Sequence, residues 1–199
     1  MRGAQHPAAV SFRAVPKIAI VGSFSTGKTT LAEAASRRLD LPLLPEAARE
    51  VAALGFKLDK DATPEVETLI FLKQLYNELT HPDFVGDRSL IDVMAYAGWV
   101  LDNQARRPET ALWEECVRIA QVHLRSQYSH VFYLPIEFPI VPDGLRPLDP
   151  GFQREIDQRM LGLLRDHAVS YRTLSGSVEQ RLNGLSDAVA EALGGGVDS

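Results

Sequence analysis

The residues with the clearest chemical purpose lie in one run, Gly22-Ser23-Phe24-Ser25-Thr26-Gly27-Lys28-Thr29, followed by Thr30. Their spacing is G-x-x-x-x-G-K-[ST], suited to holding a polyphosphate. Glycine is needed where the backbone takes φ > 0 or comes close to an anion, and successive N–H groups can then curl round a phosphate. The helix expected from Lys28 onward aims the positive end of its dipole at the same point. Lys28 is placed to reach the β and γ oxygens of a nucleoside triphosphate, with ATP the expected one. The Thr29 hydroxyl is placed to join the shell of a Mg²⁺ ion.

A second set of polar residues follows each later apolar run. Ligands of open parallel α/β sheets collect at the carboxyl ends of the strands, so these exits are read together. Glu46 and Arg49 follow the second run, and Asp87, Arg88 and Asp92 the third. Asp143 and Arg146, with Arg154 beyond, follow the fourth; Ser175, Gly176 and Ser177 follow the fifth. Asp87 either holds the metal beside Thr29 or caps the next helix. Arg88 can clamp a phosphate or orient Glu46, and Asp92 can take the metal or a substrate. Glu46 suits a general base, because phosphoryl transfer to a hydroxyl needs a carboxylate within reach of the attacking oxygen. The histidines at 6, 81, 123, 130 and 167 show no HxxxH or HExxH spacing, and Trp99 and Trp113 read as core. The pair Arg106-Arg107 reads as a solvated turn.

Holding those exits together requires helices alternating with short strands, an α/β fold with a five-stranded parallel sheet in three layers. Strands are expected at 17–21, 41–44, 84–87, 130–134 and 169–174. Helices are expected at 28–39, 46–54, 64–79, 90–103, 109–126, 152–167 and 178–193, with Pro64 at a first helical position. Helix 90–103 is apolar enough for either the core or the seam of a homodimer. Residues 135–151 carry prolines at 135, 139, 142, 147 and 150, too many for a helix. A loop of that length suits a lid, drawn at about 136–154. The chain then divides into a flexible arm (1–16), one domain (17–193) and a flexible tail (194–199).

Composition narrows the function classes. With 199 residues, 45% hydrophobic and 24% charged, the chain can bury a core as a single domain. The net charge of -5 argues against a broad nucleic-acid surface. Cys116 is the single cysteine, which rules out an internal disulfide and a cysteine-based zinc site. No apolar run approaches the roughly 18–20 residues of a membrane span, and residues 1–16 lack the apolar stretch of a secretory signal. A cytoplasmic protein acting on a small molecule, without nucleic-acid or membrane partners, is expected.

The ordered blocks GSFSTGKTT, PEAAREV, DRSLIDVMAYAG, PDGLRPLDPGFQREID and SGSVEQRL resemble the P-loop nucleoside-kinase-like family (AAA-domain-like P-loop kinases). Within it they are similar to the nicotinamide-riboside kinase domains of NAD-regulatory proteins, over roughly residues 17–193. The resemblance implies an ATP- and Mg²⁺-dependent kinase that phosphorylates a nucleoside or riboside hydroxyl. It implies that Glu46 and Arg49 face the acceptor and that Arg88 orients the acceptor and its phosphates. By the same resemblance Gln74 reads a base edge, Arg146 and Arg154 clamp the transferring group, and Ser175 to Arg181 border the adenine. Asp87-Arg88-Ser89 is the pattern of deoxynucleoside kinases rather than riboside kinases, and the lid lacks the arginine density of adenylate-type kinases. Acceptor identity therefore stays open. A nucleotide-binding regulatory switch is the alternative. Asp83-Phe84-Val85-Gly86 fits the D-x-x-G of GTPases, but its aspartate precedes the strand and no Asn-Lys-x-Asp follows. The acidic balance also counts against a nucleic-acid end kinase.

Overall fold

Alternation along the central strand β1 (Lys17–Val21) sorts the helices onto two faces. Ile18 and Ile20 pack with Leu31, Ala35, Leu185 and Val189, from α1 (Lys28–Leu39) and α7 (Val178–Gly194). Ala19 and Val21 face a larger cluster. Its helices are α2 (Ala47–Ala52), α3 (Pro64–Thr80), α4 (Leu90–Asn103), α5 (Thr110–Ser126) and α6 (Pro150–Asp166). The computed structural model describes residues 16–103, 110–142 and 148–194. The arm 1–15 and most of the tail therefore lie outside the described residues.

The remaining strands are β2 (Leu43–Leu44), β3 (Phe84–Asp87), β4 (His130–Tyr133) and β5 (Arg172–Thr173). All pairings are parallel, in the order β2-β3-β1-β4-β5. The register sets Ile20 beside Asp87 and Val21 beside Tyr133, so the exits of β1, β3 and β4 lie side by side. The expected three-layer α/β fold with five parallel strands is therefore the observed one.

Differences from the sequence reading are local and have causes. The second strand is confined to Leu43–Leu44, its Pro42 contributing a carbonyl to Val85 N–H but no donor. The fifth is confined to Arg172–Thr173. Ala168 turns with φ 52 and the N–H of Val169 bonds back to the Leu164 carbonyl, so those residues close α6 instead of opening a strand. At its other end α6 starts at Pro150, because Asp149 accepts from the N–H groups of Gly151 and Phe152 with proline at a first helical position. Residues 150–154 are thus helix and not loop. Helix α4 buries nine residues inside this one chain, which assigns its apolar surface to the core rather than to a dimer seam. Cys116 is buried in that core, and burial raises its thiol pKa.

Candidate active site

Between β1 and α1 the loop closes tightly. Gly22 has φ 152, and a Cβ there would stand 2.6 Å from the Leu134 carbonyl oxygen, a backbone atom that cannot move aside. Gly27 takes φ 87 as the N-cap of α1. The Ser23 carbonyl accepts from the Thr26 hydroxyl at 2.9 Å and from Lys28 Nζ at 2.5 Å. Lys28 is buried, and burial holds its amine down to about 7, with Arg88 adding repulsion against the pull of Asp92, Asp87 and Glu46. Such an ammonium gains strongly from an anion. Thr29 and Thr30 are exposed at the start of α1.

Asp87 ends β3 with Oδ2 accepting from the Thr29 hydroxyl at 2.7 Å, while Oδ1 is buried with no hydrogen-bond partner. Its side chain therefore faces the phosphate loop, and the first N–H groups of α4 are capped by others: Leu90 N–H by Glu78 Oε1 and the Tyr128 hydroxyl, Ile91 N–H by Ser89 Oγ. A hydroxyl and a carboxylate side by side next to a phosphate cradle fit Mg²⁺, which needs one or two protein oxygens besides phosphates and water. The described residues contain no cluster of three or more His, Cys, Asp or Glu suited to a metal.

Behind the cradle stands a buried network of charges. Arg88 takes φ 85, rare for a residue with a side chain, and its N–H is held by the Ile20 carbonyl at 3.2 Å. That turn lays its guanidinium 5.1 Å from the centre of the Tyr96 ring, with Nε 2.8 Å from Glu46 Oε1 and Nη1 3.7 Å from Asp92 Oδ1. Burial alone would lower the Arg88 pKa, but Glu46, Tyr96 and Asp92 outweigh it and keep the group charged. Arg49 reaches the other Glu46 oxygen at 3.2 Å from a more exposed position. Asp92 accepts from Ser89 N–H at 3.0 Å, and burial pushes its carboxyl up to about 6 against the pull of Arg88 and Lys28.

Two clefts meet at these residues. One is lined by Phe24 to Thr30 with Arg49, Asp87 and Val141; the other by Gln74, Asp92, Tyr96, Asp59 and Glu67. Glu46 and Arg88 line both. The sequence reading named Gln74 and Asp92 for this neighbourhood but not Tyr96, Asp59 or Glu67. Tyr96 follows Asp92 by one helical turn, a spacing that could have flagged it. Asp59 has no such signal, because it sits in a 3₁₀ turn (Asp59–Asp61) within a loop.

On the α7 side, buried Arg181 donates to the Thr26 carbonyl at 2.7 Å and pairs with Glu137 at 2.5 Å, its guanidinium 5.2 Å from the Phe138 ring centre. Glu137 also accepts from Gly176 N–H at 3.0 Å, which ties the Ser175–Gly176 turn to the exit of β4. Arg181 thus stands against the phosphate loop, where the sequence reading had set it at the adenine border; Glu137 was not foreseen. Gln153 was missed too, yet its amide donates to the Phe24 carbonyl at 2.6 Å and its own carbonyl accepts from Ser23 Oγ at 2.9 Å. Its neighbour Arg154 is exposed on α6 and lines neither cleft. Arg146 lies outside the described residues. The D-x-x-G match puts Asp83 before β3, at the end of the strand away from the phosphate loop.

Residues 17–181 match a family model described as an AAA domain. No curated protein matches the chain in sequence. Among solved structures, a NadR protein in complex with NAD and AMP-PNP is similar at a TM-score of 0.68 and 18% identity, covering 91% of this chain and 50% of that one. A deoxyadenosine kinase from M. mycoides with bound dATP gives 0.58 and 14%, covering 87% and 99%. Shikimate kinase from Acinetobacter baumannii in complex with shikimate gives 0.51 and 14%, covering 94% and 98%. The chain spans about half the length of the NadR protein, and at these identities the shared property is the fold.

Proposed function

The chain belongs to the AAA-domain family and has the fold of P-loop kinases; from that premise we propose that it is an ATP-dependent kinase acting on a nucleoside-like or riboside hydroxyl. The observation that carries this reading is the pair Glu46 and Arg88, which line both the phosphate cradle and the cleft beside it. A carboxylate at that junction can stand between the terminal phosphate and an acceptor hydroxyl. The amides of Ser23 to Thr29 and the Lys28 ammonium hold the triphosphate. The acceptor oxygen attacks the γ-phosphorus, its proton passes to Glu46, and the bond from the γ-phosphorus to the bridging oxygen breaks to release ADP. Arg88, kept charged and fixed over Tyr96, steadies Glu46 and balances charge on the transferring group. Thr29 and Asp87 would hold Mg²⁺, which supplies charge neutralisation on the phosphates when bound.

Further support comes from the described residues 136–142 of the segment read as a lid, which ends before α6. Its Val141 N–H lies 3.4 Å from Ser25 Oγ, so that part of the chain already borders the phosphate loop. Arg181, with Ser175 and Gly176 beside it, is read as bordering the adenine. The net charge of -5 favours a small acceptor over a nucleic-acid end.

The test follows ADP release from Mg-ATP with nucleosides, ribosides, nucleotides and oligonucleotide ends as acceptors. Acceptor-dependent ADP is expected, with Glu46→Gln lowering turnover by at least about 10²-fold while ATP affinity stays within about twofold. Full activity in Glu46→Gln would remove Glu46 as the base. Slow ADP release that ignores every acceptor would replace the kinase with a regulatory nucleotide switch.

A further inference from the structure

A carboxylate with no part in the phosphoryl transfer lies behind the acceptor cleft. Glu78 on α3 is fully buried. Its Oε1 accepts from Gln74 Nε2 at 2.8 Å and from Leu90 N–H at 3.1 Å. Its Oε2 accepts from the Tyr128 hydroxyl at 2.6 Å and lies 2.5 Å from His123 Nε2. These partners come from α3, the start of α4, α5 and the turn before β4, so Glu78 is held from four directions and cannot swing. A buried ionised group is tolerated only when it is matched this fully.

The consequence falls on Gln74. An amide side chain can turn end for end, and its neighbours decide which end faces where. A carboxylate oxygen accepts and does not donate, so the Gln74 NH₂ must face Glu78. The carbonyl oxygen, Oε1, is then the atom left over: it is buried, it has no hydrogen-bond partner, and Gln74 lines the acceptor cleft. Leaving a buried carbonyl unmatched is costly, and a ligand N–H removes that cost.

We propose that Glu78 is a positioning residue that locks the Gln74 amide with its carbonyl toward the cleft, so that the acceptor is selected for an N–H donor on its base or ring substituent. The proposal rests on the kinase reading above. The acceptor is then a nucleoside or riboside bearing an amino or carboxamide group, and an analogue without one leaves Gln74 Oε1 unpaired. Because the contact is remote from the reacting hydroxyl and is made in the ground state, selection appears in KM more than in kcat.

The experiment compares acceptors in matched pairs, by acceptor-dependent ADP formation from Mg-ATP. Adenosine is set against unsubstituted purine riboside, and pyridine-3-carboxamide riboside against its 3-carboxylate. The amino or carboxamide member is expected to lead by about tenfold or more in kcat/KM. In Gln74→Met that ratio falls to near one, through a higher KM for the amino or carboxamide member of each pair. In Glu78→Gln it falls with Gln74 still present, since a neutral amide partner accepts either orientation. Tyr128→Phe, which removes one hydroxyl from Glu78, is the milder variant should Glu78→Gln fail to fold, and a partial fall is expected. Equal turnover of both members, a full ratio retained in the Glu78 and Tyr128 variants, or turnover confined to acceptors without an N–H donor overturns the proposal alone and leaves the kinase standing. ATP binding with no acceptor-dependent ADP from any compound overturns the kinase reading, and this proposal with it.

Discussion

Asp92 and Lys28 are opposite charges taken out of water together, and each titrates toward its neutral form for that reason. For Asp92 the sign follows from its raised value. The folded state binds its proton more tightly than the unfolded chain, so its contribution to stability is complete below about 3.8 and is lost as pH rises through about 6. Lys28 does not disturb that window, since with its value near 7 it is protonated in both states through most of it. Asp92→Asn removes the titration and keeps an oxygen for Ser89. Its stability relative to the parent should therefore rise by about 2 kcal/mol between pH 4 and pH 6.5. Urea unfolding at the two pH values measures this, and a difference that stays flat with pH would mean that Asp92 does not carry the shift.

Helix α6 connects to the site in a way its sequence pattern conceals. Its first turn, set by Asp149 and Pro150, delivers Gln153 to the phosphate loop and packs Phe152 against Phe24 at 5.7 Å and Trp99 at 4.7 Å. Lys60 reaches Asp149 at 2.5 Å, joining the 3₁₀ turn to the same helix start. The phosphate loop is thus braced from the lid side as well as by its own helix. Gln153→Leu keeps the volume but leaves the Phe24 carbonyl buried and unmatched, a loss of about 1–3 kcal/mol. The expected result is a lower urea midpoint together with weaker ATP binding. An Arg154→Ala variant, altered one position along on an exposed surface, should change stability by less than about 0.5 kcal/mol.

At the scale of the molecule, binding and stability are linked. A nucleotide that binds only the folded chain at 100 times its Kd adds about 2.7 kcal/mol, or roughly 5–10 °C in Tm for a domain of this size. Mg-ATP should produce such a shift in the parent. Lys28→Met should abolish most of it without lowering the Tm of the free protein, because the substitution removes a buried ammonium rather than a packed apolar group. A full shift in Lys28→Met would place the triphosphate elsewhere. The parallel sheet makes the linkage possible, since it sets the exits of β1, β3 and β4 in adjacent positions, each contributing one wall.

The sequence by itself determined the phosphate loop, the α/β layering and the polar residues at the strand exits. Those depend on local rules: glycine where φ turns positive, period-two burial in strands, and caps and prolines at helix starts. It also separated Asp87, Arg88 and Glu46 from the surrounding charges, because each directly follows or closes an apolar run. Only the tertiary structure decided what those residues touch. That Arg88 lies over Tyr96 and pairs with Glu46, that Gln153 braces the loop, and that Glu78 orients Gln74 each requires side chains from distant segments to meet in a buried space. Packing chooses those partners, because a buried charge or amide must be matched by whichever donor or acceptor the fold brings beside it, however far apart the two stand in the chain.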